Sequence, residues 1–262
     1  MVKSVEVTTD QGIMVKPREL IEIKGAGPLG LLDRRNFNIL LDKAWGKELL
    51  QPHHQFTIDT SELRHGSANN QKMKASLRKL QQTLVVVTKA NGDEVTSQLL
   101  GSTRVKANGD LTFSFPYELS GLLKDSSVFA KLDLEVMKSF SSKYAFALYE
   151  QVSRRINLSY QMTEDLSVQE LRDLLGVEDG KLTKVFNLTK KALEPALTEV
   201  NAITPYQVTI IPRKKGRKLL GFIMGWSIKD VSGMKQAYAE LLRPKLGRKE
   251  RLDGTSSSVV EG

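Results

Sequence analysis

The stretch that most constrains the fold runs from residue 165 to residue 229, where the spacing of apolar residues changes three times. Residues 165–177 predict a short helix, and residues 183–200 predict a long helix after a sharp turn. Residues 207–228 predict two strands joined by a basic turn. This order is typical of a winged helix-turn-helix, whose second helix can enter the major groove of DNA.

The long helix has two chemically different faces. At three- and four-residue spacing, one face carries apolar and small side chains, namely Val185, Thr189, Ala192, Leu193, Ala196, Leu197 and Val200. The opposite face carries Lys184, Asn187, Lys191 and Thr198. We therefore expect the first face to be buried and the second, basic and amide-bearing, to face outward.

Pro195 lies inside this predicted helix. A proline removes one backbone hydrogen bond and can cost about 3 kcal/mol where the helix cannot adapt. We favour one bent helix with Pro195 on the outward side. The alternative is a helix that ends near Leu193 and is followed by a second helix.

The turn between the two predicted strands is strongly cationic. Five of the six residues from Arg213 to Lys218 are Lys or Arg. Such a turn cannot be packed inside a core, and its natural neighbour is a phosphate backbone.

Length and charge suggest two domains and a polyanionic partner. The chain has 262 residues, whereas an average domain has about 150. Its net charge is +9, and the excess is larger in the second half, with 20 Lys+Arg against 14 Asp+Glu from residue 141 onward and 19 against 16 before it. Cysteine is absent, the N-terminus lacks the apolar core of a secretory signal, and no apolar run could cross a bilayer. We expect a soluble, cytoplasmic protein with no membrane partner.

The same order of elements is predicted twice. A helix, a short helix, a longer helix and a hairpin are predicted before residue 140, and the series recurs from residue 142. We therefore predict an α+β protein with two tandem winged helix-turn-helix domains. The predicted division is a flexible arm over residues 1–16, a first winged-helix domain over 17–140, a second over 141–230, and a C-terminal helix with a mobile, disordered tail over 231–262.

Within the first half, two dipeptides and one alternating segment predict β-structure. Asn91-Gly92 and Asn108-Gly109 predict hairpin turns, because both dipeptides accept positive φ angles. Alternation of apolar and charged residues over 130–136 predicts a strand.

The segment Gly25–Gly30 matches the dinucleotide-binding pattern GxGxxG. That pattern needs a buried parallel strand before it and further β-α units after it. Here Glu22 and Lys24 alternate with isoleucines before the glycines, and a helix pair and hairpins follow. We interpret the segment as a loop that binds no nucleotide.

Enzymatic chemistry is not supported by the remaining motifs. The three histidines, His53, His54 and His65, form no His-x-His pair, and no tyrosine has a lysine four residues later, as DNA nickases often have. The run from Gly176 to Leu182 is one residue short of a phosphate-binding loop and lacks its hydroxyl residue. We predict no catalytic residue, no metal site and no cofactor.

Several segments of the second half resemble one protein family. These are Ser142-Lys143-Tyr144-Ala145, Leu166–Val177, Lys191–Asn201 and Lys215-Gly216-Arg217-Lys218. They are similar to the iteron-binding replication initiators of theta-replicating plasmids, and the likeness is looser over residues 15–140. The resemblance implies that the second domain binds each origin repeat, while the first contacts adjoining DNA in monomers and forms the interface in dimers. It also implies self-repression as a dimer and recruitment of the host initiator and replicative helicase.

The candidate DNA-binding residues lie on the long helix and the basic turn. They are Lys184, Asn187, Lys190, Lys191, Arg213, Lys214, Lys215, Arg217 and Lys218. Asn187 is the candidate base reader, because an amide can pair bidentately with adenine, and the turn is expected to contact phosphates. A second contact is suggested by Lys72, Lys74, Arg78 and Lys79, which could equally form a solvated helix face.

The sequence thus predicts a plasmid replication initiator that binds directly repeated double-stranded DNA and helps to open the origin. The alternative is a dimeric winged-helix transcriptional repressor with no origin role.

Overall fold

The computed structural model describes residues 3–51, 53–66, 70–89, 92–123, 126–156, 158 and 161–257. The chain divides into two compact units, Met1–Leu134 and Glu135–Gly262. Within the described residues, no helix is both long and apolar enough to cross a membrane.

In its described residues, the first unit combines four α-helices with short antiparallel strands. Its elements are β1 (Ile13–Pro17), α1 (Arg18–Ile21), α2 (Leu31–Ala44), β2 (Phe56–Asp59), α3 (Asn70–Gln82), β3 (Leu84–Thr88), β4 (Glu94–Gln98), β5 (Thr103–Val105), β6 (Asp110–Phe113), α4 (Tyr117–Leu123) and β7 (Phe129–Asp133), with 3₁₀ turns at Ser4–Glu6, Lys47–Leu50 and Thr60–Leu63. The strands pair as β1-β7, β2-β6-β5 and β3-β4. The short helix predicted before α3 is thus a 3₁₀ turn, and the predicted series of elements is otherwise present.

The prediction of a loose N-terminal arm is wrong. Strand β1 pairs antiparallel with β7, and Met14 and Val15 are fully buried in the first unit. Ser4 and Val5 are buried as well. The run of three apolar residues over 13–15 is too short a signal to identify this strand.

The strand predicted over residues 130–136 is shorter than expected. Strand β7 ends at Asp133, and residues Leu134–Ser139 form helix α5. The backbone N–H of Leu134 donates to the carbonyl of Gly12 at 2.8 Å, the last bond of this strand pair. The predicted turn at Asn108-Gly109 joins β5 to β6, whereas Asn91 lies outside the described residues.

The glycine-rich segment is a loop, as interpreted from the sequence. Lys24 and Val86 exchange backbone hydrogen bonds of 3.0 and 3.1 Å in an antiparallel bridge. Gly25 has a φ of +87°, and a Cβ there would lie 2.6 Å from the Leu84 carbonyl oxygen. Glycine at this position therefore allows the backbone of the loop to lie close to the backbone of Leu84.

The second unit has the element order of a winged helix-turn-helix. After α5 its elements are α6 (Lys143–Arg155), β8 (Thr163–Leu166), α7 (Val168–Leu175), α8 (Val185–Leu188), a π turn (Thr189–Leu193), α9 (Glu194–Ile203), β9 (Tyr206–Lys215), β10 (Lys218–Ile228), α10 (Val231–Leu242) and α11 (Arg248–Ser257). The sheet has the order β8-β10-β9 and is antiparallel throughout. Helices α6 and α9 pack together beneath it.

The long helix is continuous through Pro195, in agreement with a single helix. Because proline has no N–H, one regular bond to the Lys191 carbonyl is lost. The residues before it form a π turn, in which the Glu194 N–H donates to the Thr189 carbonyl five residues earlier. The turn absorbs the proline without ending the helix.

The π turn changes which side chains are buried. It holds one more residue than an α turn, so it rotates the N-terminal part of the helix by about 100° relative to a regular wheel. Leu188 and Glu199 are buried although the wheel did not select them. Val185, Thr189 and Leu197, which it did select, are only half-buried. After the π turn, Ala196 and Val200 are buried as predicted, whereas Leu197 and Glu199 differ from the prediction. Before it the buried side is displaced, with Leu188 inside and Val185 only half-buried.

The prediction of a mobile tail is wrong for residues 248–257, which form α11. Arg248 is buried in the second unit, and its guanidinium donates to the Ser139 carbonyl at 2.7 Å. It lies 3.8 Å from the carboxylate of Glu199 and 3.4 Å from that of Glu240. Burial opposes ionisation of Glu240, but hydrogen bonds and charge from Arg251 and Arg243 outweigh it and lower its pKa.

We expect Arg248→Ala to destabilise the second unit by about 3 kcal/mol, because it leaves the buried carboxylate of Glu199 without a cation and removes one of the three that surround Glu240. The matched control is Lys249→Ala, which removes an exposed cation from the same helix. Urea unfolding of both variants would measure the difference, and equal midpoints for the two would contradict this role of Arg248.

Candidate nucleic-acid interface

Helix α7 begins and ends with well-defined caps. The Ser167 hydroxyl accepts from the Glu170 N–H at 3.1 Å, and the Glu170 carboxylate accepts from the Ser167 N–H at 2.7 Å. Hydrogen bonding to the carboxylate, from the Ser167 N–H first and from the Ser167 side chain second, lowers the pKa of Glu170. At the other end, Gly176 adopts a left-handed conformation with φ of +63° and ends the helix. The first helix of the motif is thereby fixed to eight residues.

The turn between α7 and α8 is held by Arg172. Its guanidinium donates to the carbonyls of Lys181 at 2.6 Å and Leu182 at 2.8 Å. Gly180 and Leu182 both have positive φ angles, of +74° and +48°. Arg172 thus fixes the direction in which the chain enters α8.

The exposed strip of α8 and the π turn combines cations with one aromatic residue. Lys184, the N-cap of α8, is exposed, as are Lys190 and Lys191. Phe186 has 70% of its surface exposed, whereas Asn187 is half-buried. The strip is therefore centred on Phe186 and Lys190 rather than on Asn187, in accordance with the rotation produced by the π turn.

The hairpin of β9 and β10 projects a cationic tip. Gly216 and Arg217 form its two-residue turn, and Gly216 has the positive φ, +59°, that the first position of a type II′ turn requires. All residues from 211 to 218 are exposed. We call residues 213–218 the wing tip.

Most of the predicted cations form no salt bridge with another described residue. Lys190 is paired with Glu194 at 2.9 Å, and Arg213 with Asp165 at 3.7 Å. Both pairs are exposed, so their attraction is weak and they can be exchanged for phosphate contacts. No salt bridge within the described part of the chain involves the other six cations, which are Lys184, Lys191, Lys214, Lys215, Arg217 and Lys218.

Asn201 joins the long helix to the wing hairpin. Its side-chain amide donates to the Val208 carbonyl at 2.9 Å, and its amide oxygen accepts from the Val208 N–H at 2.8 Å. Lys229, after β10, donates to the carbonyls of Asn201 and Thr204, and burial lowers its pKa. The hairpin therefore leaves the end of α9 in a fixed direction.

The pairing of the hairpin with β8 depends on Gly221. A bulge interrupts the pairing between Leu219 and Gly221, and Gly221 has a φ of +157°. A Cβ at this position would collide with the carbonyl oxygen of Leu166 on β8. Glycine at this position therefore allows β8 to pair with β10.

The candidate second contact lies on α3 of the first unit. Lys72, Lys74 and Arg78 are exposed, whereas Lys79 is half-buried and lies 3.3 Å from the carboxylate of Asp33. Three of the four cations therefore face solvent, and the fourth also stabilises the packing of α3 near α2.

Sequence reasoning missed Phe186 and the positioning roles of Arg172 and Asn201. A regular wheel placed Phe186 on neither face, and its exposure depends on the π turn. No motif of the sequence marked Arg172, since its partners are backbone carbonyls.

In the residues that the structure describes, no group of three or more His, Asp or Glu side chains is placed so that it could hold a metal ion.

Comparison with known proteins identifies the relatives of this chain. A family model described as "Initiator Replication protein, WH1" matches residues 13–153, and one described as "Initiator Rep protein, WH2" matches residues 167–226. No curated protein matches the chain.

Among solved structures, the chain is similar to a crystal structure of the Pi initiator protein in complex with iteron DNA. The two share 17% sequence identity with a TM-score of 0.61, over 85% of this chain and 100% of that chain. This likeness shows the fold, an α+β arrangement with two winged-helix domains. With the first family model covering more than half of its length, the chain belongs to the initiator replication protein family, whose members are non-enzymatic DNA-binding proteins.

Proposed function

We propose that this protein is a plasmid replication initiator that binds directly repeated origin sequences, or iterons. The observation that carries the proposal is the joint exposure, in one unit, of a cationic helix strip and the wing tip. Six cations on these two elements have no acidic partner among the described residues. The iteron DNA held by the similar Pi initiator supports the choice of ligand.

The two elements would divide the work of recognition. The wing tip carries flexible cations, so it would neutralise phosphates and add affinity with little choice of sequence. Helix α8 would enter the major groove, where Asn187 can pair with an adenine and Lys184, Lys190 and Lys191 can contact guanine or phosphate. Binding energy at several repeats would bend or loosen the adjacent duplex without a chemical step.

Further roles are proposed for the first unit. Residues 17–140 would form the interface of a homodimer and, in the monomer, add DNA contacts through Lys72, Lys74 and Arg78. As a dimer the protein would repress its own promoter, and as an origin-bound monomer it would recruit the host initiator and the replicative helicase. These roles rest on membership of the initiator family.

Affinity for duplex DNA is expected to depend strongly on salt. If six to ten phosphates are neutralised, affinity will fall by about 10³- to 10⁵-fold between 50 and 200 mM salt. Fluorescence anisotropy with a labelled duplex measures this slope. A slope near zero would contradict a phosphate-dominated interface.

Substitutions on the two elements are expected to have different effects. Lys215→Ala removes one phosphate contact, so it should weaken specific and random duplexes alike and reduce the salt slope by about 0.9. Asn187→Ala removes base contacts, so it should cost about 1–3 kcal/mol on the specific repeat only.

The matched control for these two variants is Lys249→Ala, an exposed cation on α11 that we expect to change neither affinity nor salt slope. Titration of each variant against the specific repeat and against a scrambled duplex gives the comparison. If Asn187→Ala and Lys215→Ala lose affinity equally on both duplexes, the assignment of α8 as the recognition helix is wrong.

Footprinting on the DNA that flanks the gene tests the origin role itself. We expect several directly repeated sites, each protected by a monomer. One inverted repeat protected by a dimer would instead indicate a transcriptional repressor.

A further inference from the structure

We propose that Phe186 determines sequence specificity by packing its ring against the 5-methyl group of a thymine in the major groove. This inference rests on the proposed function, because it assumes that α8 enters the major groove. It assigns to the site a residue with no charge and no hydrogen-bonding group.

The position of Phe186 on α8, rather than its exposure alone, points to a role in DNA recognition. A single exposed apolar side chain is common on soluble proteins and needs no explanation in itself. Phe186, however, is 70% exposed at the second residue of α8, between the N-cap Lys184 and the exposed Lys190 one turn later. In helix-turn-helix proteins the first residues of the second helix are those that reach base edges.

The backbone around Phe186 is fixed before any DNA binds. Arg172 holds the carbonyls of Lys181 and Leu182, and Leu188 is fully buried behind the strip. The π turn before Pro195 sets the rotation of this part of the helix. Phe186 therefore projects outward from a rigid backbone, so no ordering of the backbone is needed on contact.

The chemistry of the major groove selects the partner of this ring. Three of the four bases present there only hydrogen-bond donors and acceptors, whereas thymine also presents its methyl group. A phenyl ring cannot satisfy the polar edges, and it would cost free energy to cover them. Contact with a thymine methyl removes apolar surface of both groups from water, which is favourable.

The test replaces single thymines by deoxyuridine, which differs only by the missing methyl group. The probe is the repeat protected in the footprint, with each thymine substituted in turn. We expect the wild-type protein to lose about fourfold in affinity at one or two positions, the value for one buried methyl group.

For Phe186→Ala we expect about tenfold weaker binding to the thymine repeat. The uracil penalty should also disappear at the positions where the wild-type protein shows it. Phe186→Leu keeps an apolar side chain and should restore part of both effects. Because the ring is exposed, both variants should fold normally, which thermal unfolding will verify.

Three results would overturn the inference. The first is an equal loss of affinity for Phe186→Ala on thymine and uracil repeats with the wild-type penalty retained. The second is unchanged affinity for this variant. The third is a change of oligomeric state, measured by analytical ultracentrifugation, with no change in DNA binding.

These outcomes are separable from failure of the proposed function. If the wild-type protein binds the repeat and a scrambled duplex equally, the proposed function fails and the uracil comparison is not needed to decide it. If the wild-type protein prefers the repeat but Phe186→Ala retains the whole preference, only the role of Phe186 is refuted.

Discussion

The arrangement of the candidate interface depends on one missing hydrogen bond. Pro195 cannot donate to the Lys191 carbonyl, and the chain compensates with a bond from the Glu194 N–H to the Thr189 carbonyl. The extra residue in that turn rotates everything before it, so Leu188 becomes the buried anchor. Phe186 is thereby turned to the front of the helix. A local backbone constraint thus decides which side chains meet a ligand some residues away.

The same helix is fixed at its other end by buried charge. Glu199 accepts hydrogen bonds from Ser141 and Ser142 at the start of α6, at 2.7 to 3.2 Å, and lies beside Arg248. An acid at a helix N-terminus is favourable, and here it also ties α9 and α11 to α6. Since Asn201 then fixes β9 to α9, the wing tip and the exposed strip of α8 and the π turn share one rigid support. Their separation does not need to be set when DNA binds.

The sequence was sufficient for the order of elements because apolar spacing and turn residues are local signals. It identified the helix after the wing, the wing hairpin and the helix containing Pro195. It failed where structure depends on distant partners. Strand β1 is defined by its pairing with β7, and α11 by the buried Arg248. The exposed side of α8 was predicted incorrectly for a different reason, since a regular helical wheel cannot anticipate a π turn. The exposure of the cations in the wing tip was nevertheless predicted correctly, because five charges among six residues cannot be buried together.

The proposed interface separates affinity from choice of sequence. In it, the long cations of the wing tip would contact phosphates of any sequence and so contribute to binding on every duplex. Such contacts cannot distinguish repeats from the rest of a plasmid. Under this proposal, discrimination would come from the few side chains on α8, where Asn187 offers an amide and Phe186 an apolar ring. A neutral ring among cations suits this division because it is not attracted to phosphates. Its contact with DNA is favourable only where a thymine methyl group lies opposite the ring, because only there is apolar surface of both groups removed from water.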